Sequence, residues 1–164
     1  LAKTDRLKLI IAGEFWENED EYRDLIHTYR LNDRVEIQAG YVPGSAVGNL
    51  FRSASFVVLP YRAGTASFIC QMAKRWGRPV IASRTGSFID EVDDGMNGRL
   101  FEPESVDGLA VALAEAIDGT NLERWHEYQL RSAESSKSAW DIYCTSLQSN
   151  SEAKGAKGQV AANG

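Results

Sequence analysis

The sequence has few of the residues that build metal sites and disulfides. Only two cysteines and two histidines occur among its 164 residues. Cys70 and Cys144 are far apart in the chain, and His27 and His126 do not combine with them into a metal-ligand spacing. A structural zinc site is therefore set aside, and we expect no metal in the functional site.

Long apolar runs and an excess of positive charge are also missing. The longest apolar stretches, such as residues 56–59, are far shorter than the roughly 18 residues of a membrane-spanning helix. No signal-peptide pattern opens the chain, so we expect a cytoplasmic domain. The 18 Lys and Arg against 23 Asp and Glu give a net charge of -5. This balance disfavours nucleic acid as a partner, because a phosphate backbone is itself negative.

What is present is an alternation of short apolar runs and segments with helical periodicity. The apolar runs predict strands, and they lie at residues 7–12, 34–38, 55–59, 80–82 and 98–101. Helical segments separate them, which predicts an α/β fold: a Rossmann-like, three-layer α/β/α domain with a doubly wound parallel sheet. In the helix predicted over residues 105–117, we expect these side chains to face inward: Val106, Leu109, Ala110, Leu113, Ala114 and Ile117.

The composition changes towards the end of the chain. Residues 121–147 have the composition of a helix, with candidate buried side chains at Trp125, Tyr128, Leu130, Trp140 and Tyr143. Beyond them the sequence lacks aromatics and is rich in Ser, Ala, Gly and Lys. We therefore expect one domain over residues 1–148 and a disordered tail over residues 149–164.

The loop after the third predicted strand is the best candidate ligand site, because open parallel sheets bind ligands beyond the carboxyl ends of their strands. It contains Gly64, Thr65, Ala66, Ser67 and Phe68. The glycine permits close backbone approach, and the two hydroxyls lie beside the unpaired amides of a helix start, where a diphosphate can bind. The alternative is that Thr65 merely caps the helix.

Two other loops and an acidic cluster carry weaker signals. The loop of Gly40, Tyr41, Val42 and Pro43 has a backbone that can border a flat nucleotide base. Residues 84–87 follow the fourth strand, and both loops are equally compatible with simple turns. Neither a P-loop nor a G-x-G-x-x-G pattern occurs. We interpret the following acidic residues as a solvated turn rather than a catalytic pair: Asp90, Glu91, Asp93 and Asp94.

Five segments, in order, resemble a known family. They read LIIAG at residues 9–13, VEIQAGYV at 35–42, VVLPY at 57–61, GRPVIAS at 77–83 and EVDDGMNG at 91–98. Residues 7–147 thereby resemble the C-terminal domain of the retaining, family 4-like glycosyltransferases of the GT-B fold, also called glycosyl transferases group 1.

This resemblance implies an enzyme that moves a sugar from a nucleotide-diphosphate sugar to an acceptor hydroxyl, with retention, in polysaccharide or glycoconjugate synthesis. The nucleotide sugar is then the substrate, and no cofactor is expected. The resemblance also implies a separate N-terminal acceptor-binding domain, without which this chain alone is expected to be inactive. It further allows peripheral membrane association of the full-length enzyme.

The sequence departs from the family pattern at the expected active site. The paired glutamates of most members correspond here to Gly64 and Met72. The local pattern is similar to a branch with Pro-Tyr followed by Thr-x-Ser-Gly, but Phe68 replaces the glycine. The family's Arg and Lys, which contact the diphosphate after the first strand of this domain, have no counterpart. The catalytic residues stay unassigned, and two alternatives remain open: a catalytically silent nucleotide-binding or interaction module, and a domain like that of nucleotide-sugar epimerases.

Overall fold

Strands and helices alternate along the whole of the described chain. The structure is a computed structural model that describes residues 7–64, 67–118, 120–121, 123–125, 127–128 and 131. The elements follow the order β1 (Leu9–Gly13), α1 (Glu19–Thr28), β2 (Val35–Ala39), α2 (Gly44–Ser53), β3 (Val57–Leu59), α3 (Phe68–Arg75), β4 (Val80–Ser83), α4 (Phe88–Glu91), β5 (Gly98–Phe101) and α5 (Val106–Ala116).

All of the strand pairs are parallel. β1 pairs with β2, while β3, β4 and β5 form a second sheet with β4 in the middle. Each parallel connection crosses through a helix or a longer segment, as parallel pairing requires. The predicted Rossmann-like α/β architecture is confirmed, and its hydrogen bonding divides the described strands between two sheets.

The core lies on the two faces of the sheet formed by β3, β4 and β5. Successive residues of a strand point to opposite faces. On one face, Val80 and Ala82 pack with side chains from α2, α3 and α4: Phe51, Cys70, Ala73 and Phe88. On the other face, Ile81 packs with a second cluster from β5, α5 and the segment beyond it: Phe101, Ala112, Ala116 and Trp125. Helices therefore cover both faces, which gives the three layers.

The predicted inward face of α5 is only partly correct. Leu109 and Leu113 pack against the core. Val106 is 81% exposed, and Ala110 and Ala114 are exposed as well. The fully inward positions are Ala112 and Ala116, which are 4% and 0% exposed. These small side chains allow the helix backbone to lie close to the sheet, and Val106 lies outside this contact.

Two of the predicted buried side chains of the C-terminal segment are described, and of these Tyr128 is half-buried. Trp125 is buried, with 2% of its surface exposed, and its ring packs edge-to-face on Phe56, 6.3 Å between centroids. Leu130, Trp140, Tyr143 and the tail over residues 149–164 lie outside the described residues. Within the described part of the chain, no helix has the length and apolar character needed to cross a membrane.

Candidate functional site

The loop between β3 and α3 reaches the carboxyl edge of the sheet and ends in a helix cap. Ser67 has extended backbone angles, and its Oγ accepts a hydrogen bond from the Cys70 amide at 3.4 Å, so α3 begins at Phe68. The amides of Phe68 and Ile69 have no acceptor within the helix. This helix start therefore has the partial positive charge that attracts an anion.

A buried polar network fixes this loop to the neighbouring strand. Tyr61 Oη lies 3.2 Å from Ser67 Oγ, and the Ser83 hydroxyl donates to the Tyr61 carbonyl oxygen at 2.5 Å. The Tyr61 ring packs edge-to-face on Phe88, with 5.2 Å between centroids. Ser67 and Ser83 are 5% and 0% exposed. Both ends of the loop are thus held by buried hydrogen bonds, which are worth more than exposed ones.

Two arginines extend from the same edge. Arg62 follows β3 and pairs with Glu104 at 3.6 Å, while Arg84 follows β4 and pairs with Glu102 at 3.1 Å. All four side chains are exposed, so these ion pairs contribute little to stability. Either guanidinium is therefore available to an anionic ligand at small energetic cost.

The loop after β2 has an open backbone and an exposed aromatic ring. Gly40 has a φ of 104°, in the left-handed region that favours glycine. Its amide donates to the Gly13 carbonyl oxygen at 3.0 Å, which ties the ends of β1 and β2 together. Tyr41 is 79% exposed. Pro43 occupies the N-cap position of α2, where it makes no side-chain capping bond.

The Tyr22 hydroxyl on α1 interacts with charged side chains. The Tyr22 hydroxyl donates to Glu17 at 2.5 Å at the start of α1. The pKa of Tyr22 is raised, first by this hydrogen bond, and the positive charge of Arg62 acts against that rise.

The predicted diphosphate residues divide into three groups. Gly64 is exposed in the loop, and a methyl group added there would lie 3.4 Å from Cδ2 of Tyr61. Ser67 is the helix cap, and Phe68 is 76% exposed, so its ring does not fill the turn. Thr65 and Ala66 lie outside the described residues. Their contacts with a ligand remain predictions.

The acidic residues after β4 have separate structural partners. Glu91 contacts the Gln71 amide group and lies 3.8 Å from the Lys74 ammonium. Asp94 Oδ1 accepts from the Leu100 amide at 3.1 Å and pairs with Arg99 at 3.2 Å. They do not converge as a catalytic pair. Among the residues that the structure describes, no group of three or more His, Cys, Asp or Glu side chains is arranged to hold a metal ion.

A family model described as glycosyl transferases group 1 matches residues 1–131. The match covers most of the chain and includes every loop discussed above. This chain belongs to the group 1 glycosyltransferases. The resemblance read from the five sequence segments is confirmed at the level of the family.

This chain spans only part of the length of the relatives that it matches. It is 32% identical over 133 residues to a glycogen synthase of Xanthomonas axonopodis pv. citri. The matched segment covers 81% of this chain but 27% of that relative. Its fold is similar to that of HepE of Anabaena in complex with UDP, with a TM-score of 0.65 and 19% sequence identity. The similarity covers 87% of this chain and 41% of the HepE chain. The fold is also similar to that of the C-terminal domain of a group 1 glycosyltransferase from Francisella tularensis, with a TM-score of 0.65 and 18% sequence identity. The similarity covers 81% of this chain and 71% of the Francisella chain.

Two contributors to this candidate site could not be recognised from the sequence pattern. One is Ser83, whose hydroxyl anchors the loop through the Tyr61 carbonyl. Ser83 ends a strand that is otherwise apolar and wholly buried. Because a buried hydroxyl needs a hydrogen-bond partner, this position could have indicated a structural contact. The other is Arg62, which pairs with Glu104 at 3.6 Å. The sequence places Arg62 in the loop but gives no sign of this partner.

Proposed function

We propose that this chain is the donor-binding domain of a glycosyltransferase. In the proposal, residues 1–148 bind a nucleotide-diphosphate sugar, and a separate domain of the full-length protein binds the acceptor. The sugar passes to an acceptor hydroxyl with retention at the anomeric carbon. Glycogen synthases among the relatives support polysaccharide or glycoconjugate synthesis as the process.

The observation that carries this proposal is the capped start of α3 at the carboxyl edge of a parallel sheet. Ser67 Oγ satisfies the Cys70 amide, and the amides of Phe68 and Ile69, in the first turn of α3, have no acceptor within the helix. A departing diphosphate gains negative charge during sugar transfer. Fixed amides stabilise that charge without reorganising, which is commonly the largest catalytic contribution. This scheme needs no metal and no cofactor.

The proposed contacts divide between the two sheets. The diphosphate and sugar bind beside Gly64, Thr65, Ala66, Ser67 and Phe68. The base binds beside Gly40, Tyr41, Val42 and Pro43, where the exposed Tyr41 ring offers an apolar face. The fold similarity to HepE, which was solved with UDP, supports a nucleotide ligand.

A second candidate is a catalytically silent binding module of the same fold. It is favoured by Gly64 and Met72, which stand where most members carry glutamates. Met72 packs against the apolar core on α3, so this position has no carboxylate to offer a ligand. Nucleotide binding without sugar transfer by the full-length protein would support this candidate.

The decisive experiment removes the two hydroxyls of the turn. In the full-length protein, the double variant Thr65→Ala with Ser67→Ala is expected to lower the turnover number by about 100-fold or more. Since Ser67 is also the helix cap, thermal melting must show that the variant remains folded. Thr65→Ser with Ser67→Thr is the matched control, because it keeps both hydroxyls. Unchanged turnover in the double alanine variant would reject the proposed roles.

Base binding is tested separately by titration calorimetry of the full-length protein with uridine, guanosine and adenosine diphosphates. Tyr41→Ala is expected to weaken the tightest of these ligands by about tenfold, since a stacked ring contributes roughly 1–3 kcal/mol. Tyr29→Ala is the control, because Tyr29 is also largely exposed but ends α1 away from the proposed base site. Absence of heat with every nucleotide would reject nucleotide binding altogether.

A further inference from the structure

Two ion pairs connect the loops that follow β3, β4 and β5. These strands lie side by side in the sheet, with β4 in the middle. Arg84 after β4 pairs with Glu102 after β5, with 3.1 Å between Arg84 Nε and Glu102 Oε1. Arg62 after β3 pairs with Glu104 after β5, with 3.6 Å between Nε and Oε1. Strands β3 and β5 are not neighbours and lie roughly 10 Å apart, so this second pair spans the carboxyl end of β4.

Hydrogen bonds hold the backbone of the turn that carries both glutamates. Where β5 ends, the Phe101 carbonyl accepts from the Arg84 amide at 2.7 Å. The Ser105 amide donates to the Glu102 carbonyl at 3.2 Å, and Ser105 Oγ caps α5 by accepting from the Gly108 amide at 3.0 Å. Both ends of the turn are thus fixed. Breaking the ion pairs therefore requires only rotation of the glutamate side chains and leaves the turn in place.

Glu104 has a backbone conformation that its residue type disfavours. Its φ is 60°, in the left-handed region. It follows Pro103 in the turn closed by the bond from the Ser105 amide to the Glu102 carbonyl. When φ is positive at this third position of a turn, glycine or asparagine is preferred. A glycine would relieve the backbone but would bring no charge, so the position is better explained by the carboxylate that it places opposite Arg62.

The two pairs together carry no net charge, and all four side chains are accessible. The side chains of Arg62 and Glu104 are 83% and 69% exposed, and those of Arg84 and Glu102 are 44% and 73% exposed. Ion pairs this exposed are weak and exchange readily for other counterions. An anion that enters here meets two carboxylates as well as two guanidinium groups. It gains the attraction of the arginines only when the carboxylates turn away.

We propose that Glu102 and Glu104 are exchangeable counterions that an anionic ligand displaces from Arg84 and Arg62. The inference rests on the proposed function, because the displacing group is the diphosphate of the nucleotide sugar bound beside the loop between β3 and α3. The two arginines then hold the diphosphate from the ends of two neighbouring strands. The two glutamates lower the affinity of the site, since each ion pair must be broken before the ligand can take its place.

Titration calorimetry of the full-length protein tests the exchange with uridine, guanosine and adenosine diphosphates and with inorganic pyrophosphate. The double variant Glu102→Gln with Glu104→Gln keeps the size of both side chains but removes both charges. It is expected to bind the tightest of these ligands about threefold to tenfold more tightly, because no ion pair has to be broken. Arg62→Gln with Arg84→Gln is expected to weaken the same ligand by about tenfold or more, because hydrogen bonds to charged groups are lost.

Glu115→Gln is the matched control, because it removes a carboxylate from another ion pair at the opposite end of the sheet. α5 runs back from the carboxyl end of β5, and Glu115 in its last turn contacts Arg99 near the start of β5. Solvent and salt screen a charge at that distance from the ligand. Nucleotide affinity is therefore expected to stay within about twofold of that of the unsubstituted protein. Thermal melting checks that every variant remains folded.

The outcomes separate this inference from the proposed function. Nucleotide binding by the unsubstituted protein, with the same affinity in the double glutamine variant of Glu102 and Glu104, would overturn the exchange and leave the proposed function standing. Tightening of similar size in Glu115→Gln would also overturn it, since net charge alone would then explain the effect. Absence of heat with all four ligands would reject nucleotide binding itself and the exchange with it.

Discussion

The hydroxyl oxygens of Tyr61 and Ser67 lie 3.2 Å apart and bracket residues 62–66, the centre of the proposed diphosphate loop. Ser67 Oγ already accepts from the Cys70 amide. The contact joins the residue after β3 to the capped start of α3. We therefore expect Tyr61 to act as a positioning residue for the proposed ligand loop, without itself being required to contact the ligand.

Tyr61→Phe isolates this contact. The variant keeps the ring packed on Phe88 but loses the hydroxyl, so the free energy of unfolding is expected to fall by about 1 kcal/mol. The dissociation constant for a nucleoside diphosphate should rise several-fold, because the loop is less firmly held. Chemical denaturation and titration calorimetry measure the two effects. Tyr29→Phe is the control, since Tyr29 is 69% exposed. A Tyr61→Phe protein with normal nucleotide affinity would exclude the positioning role.

Part of this arrangement was predictable because it follows from local pattern. An apolar run after the Gly77 turn permits little other than a buried strand, and β4 is wholly buried as expected. The hydroxyl-bearing turn before a helical segment predicted a helix start, but the cap considered at Thr65 is supplied by Ser67 instead. The Tyr61 contacts were not predictable in this way. They join residues that meet only after β3 pairs with β4 in a particular register.

The errors also have physical causes. The periodicity of α5 marked Val106 as inward, but hydrophobic type does not tell how closely a helix approaches its sheet. Ala112 and Ala116 form the contact between α5 and the sheet. The predicted parallel α/β arrangement is confirmed, but the apolar pattern of β1 does not tell which strands it pairs with.

Cys70 is expected to be chemically inert in the folded protein. Its side chain is fully buried, and burial, followed by the negative charge of Glu91, raises the pKa of its thiol to about 12. Only the thiolate reacts with alkylating reagents. In a Cys144→Ser variant, native protein at pH 8 should therefore not react with iodoacetamide, while denatured protein should react at one site. Rapid native labelling would contradict the burial of α3 against the sheet.

The same pKa shift predicts a dependence of stability on pH. The folded state holds the Cys70 proton more tightly than the unfolded state, whose thiol has a pKa of about 8.5. The stabilising contribution is therefore complete below about pH 8.5 and is lost progressively as the pH rises towards the folded value of about 12. Cys70→Ala should flatten this part of the profile in denaturation experiments. Parallel profiles for the two proteins over this range would show that Cys70 is not the group responsible.

Gly98 is the position where the sheet tolerates no side chain. It begins β5 beside Val80 of β4, and a methyl group added to it would lie 1.8 Å from the Val80 carbonyl oxygen. That oxygen belongs to the backbone of a fully buried strand, so β4 and β5 must separate to make room. Gly98→Ala is therefore expected to lower the free energy of unfolding by about 3 kcal/mol or more, as measured by urea denaturation.

Gly44→Ala is the matched control for this substitution. Gly44 is exposed at the start of α2, and an added methyl group would meet no atom within 4 Å. Because alanine restricts the unfolded chain more than glycine does, this variant should be unchanged or stabilised by up to about 1 kcal/mol. The two variants differ only in what surrounds the new methyl group. Similar denaturation curves for both would mean that β4 and β5 are not in the register described, since the predicted clash follows directly from that pairing.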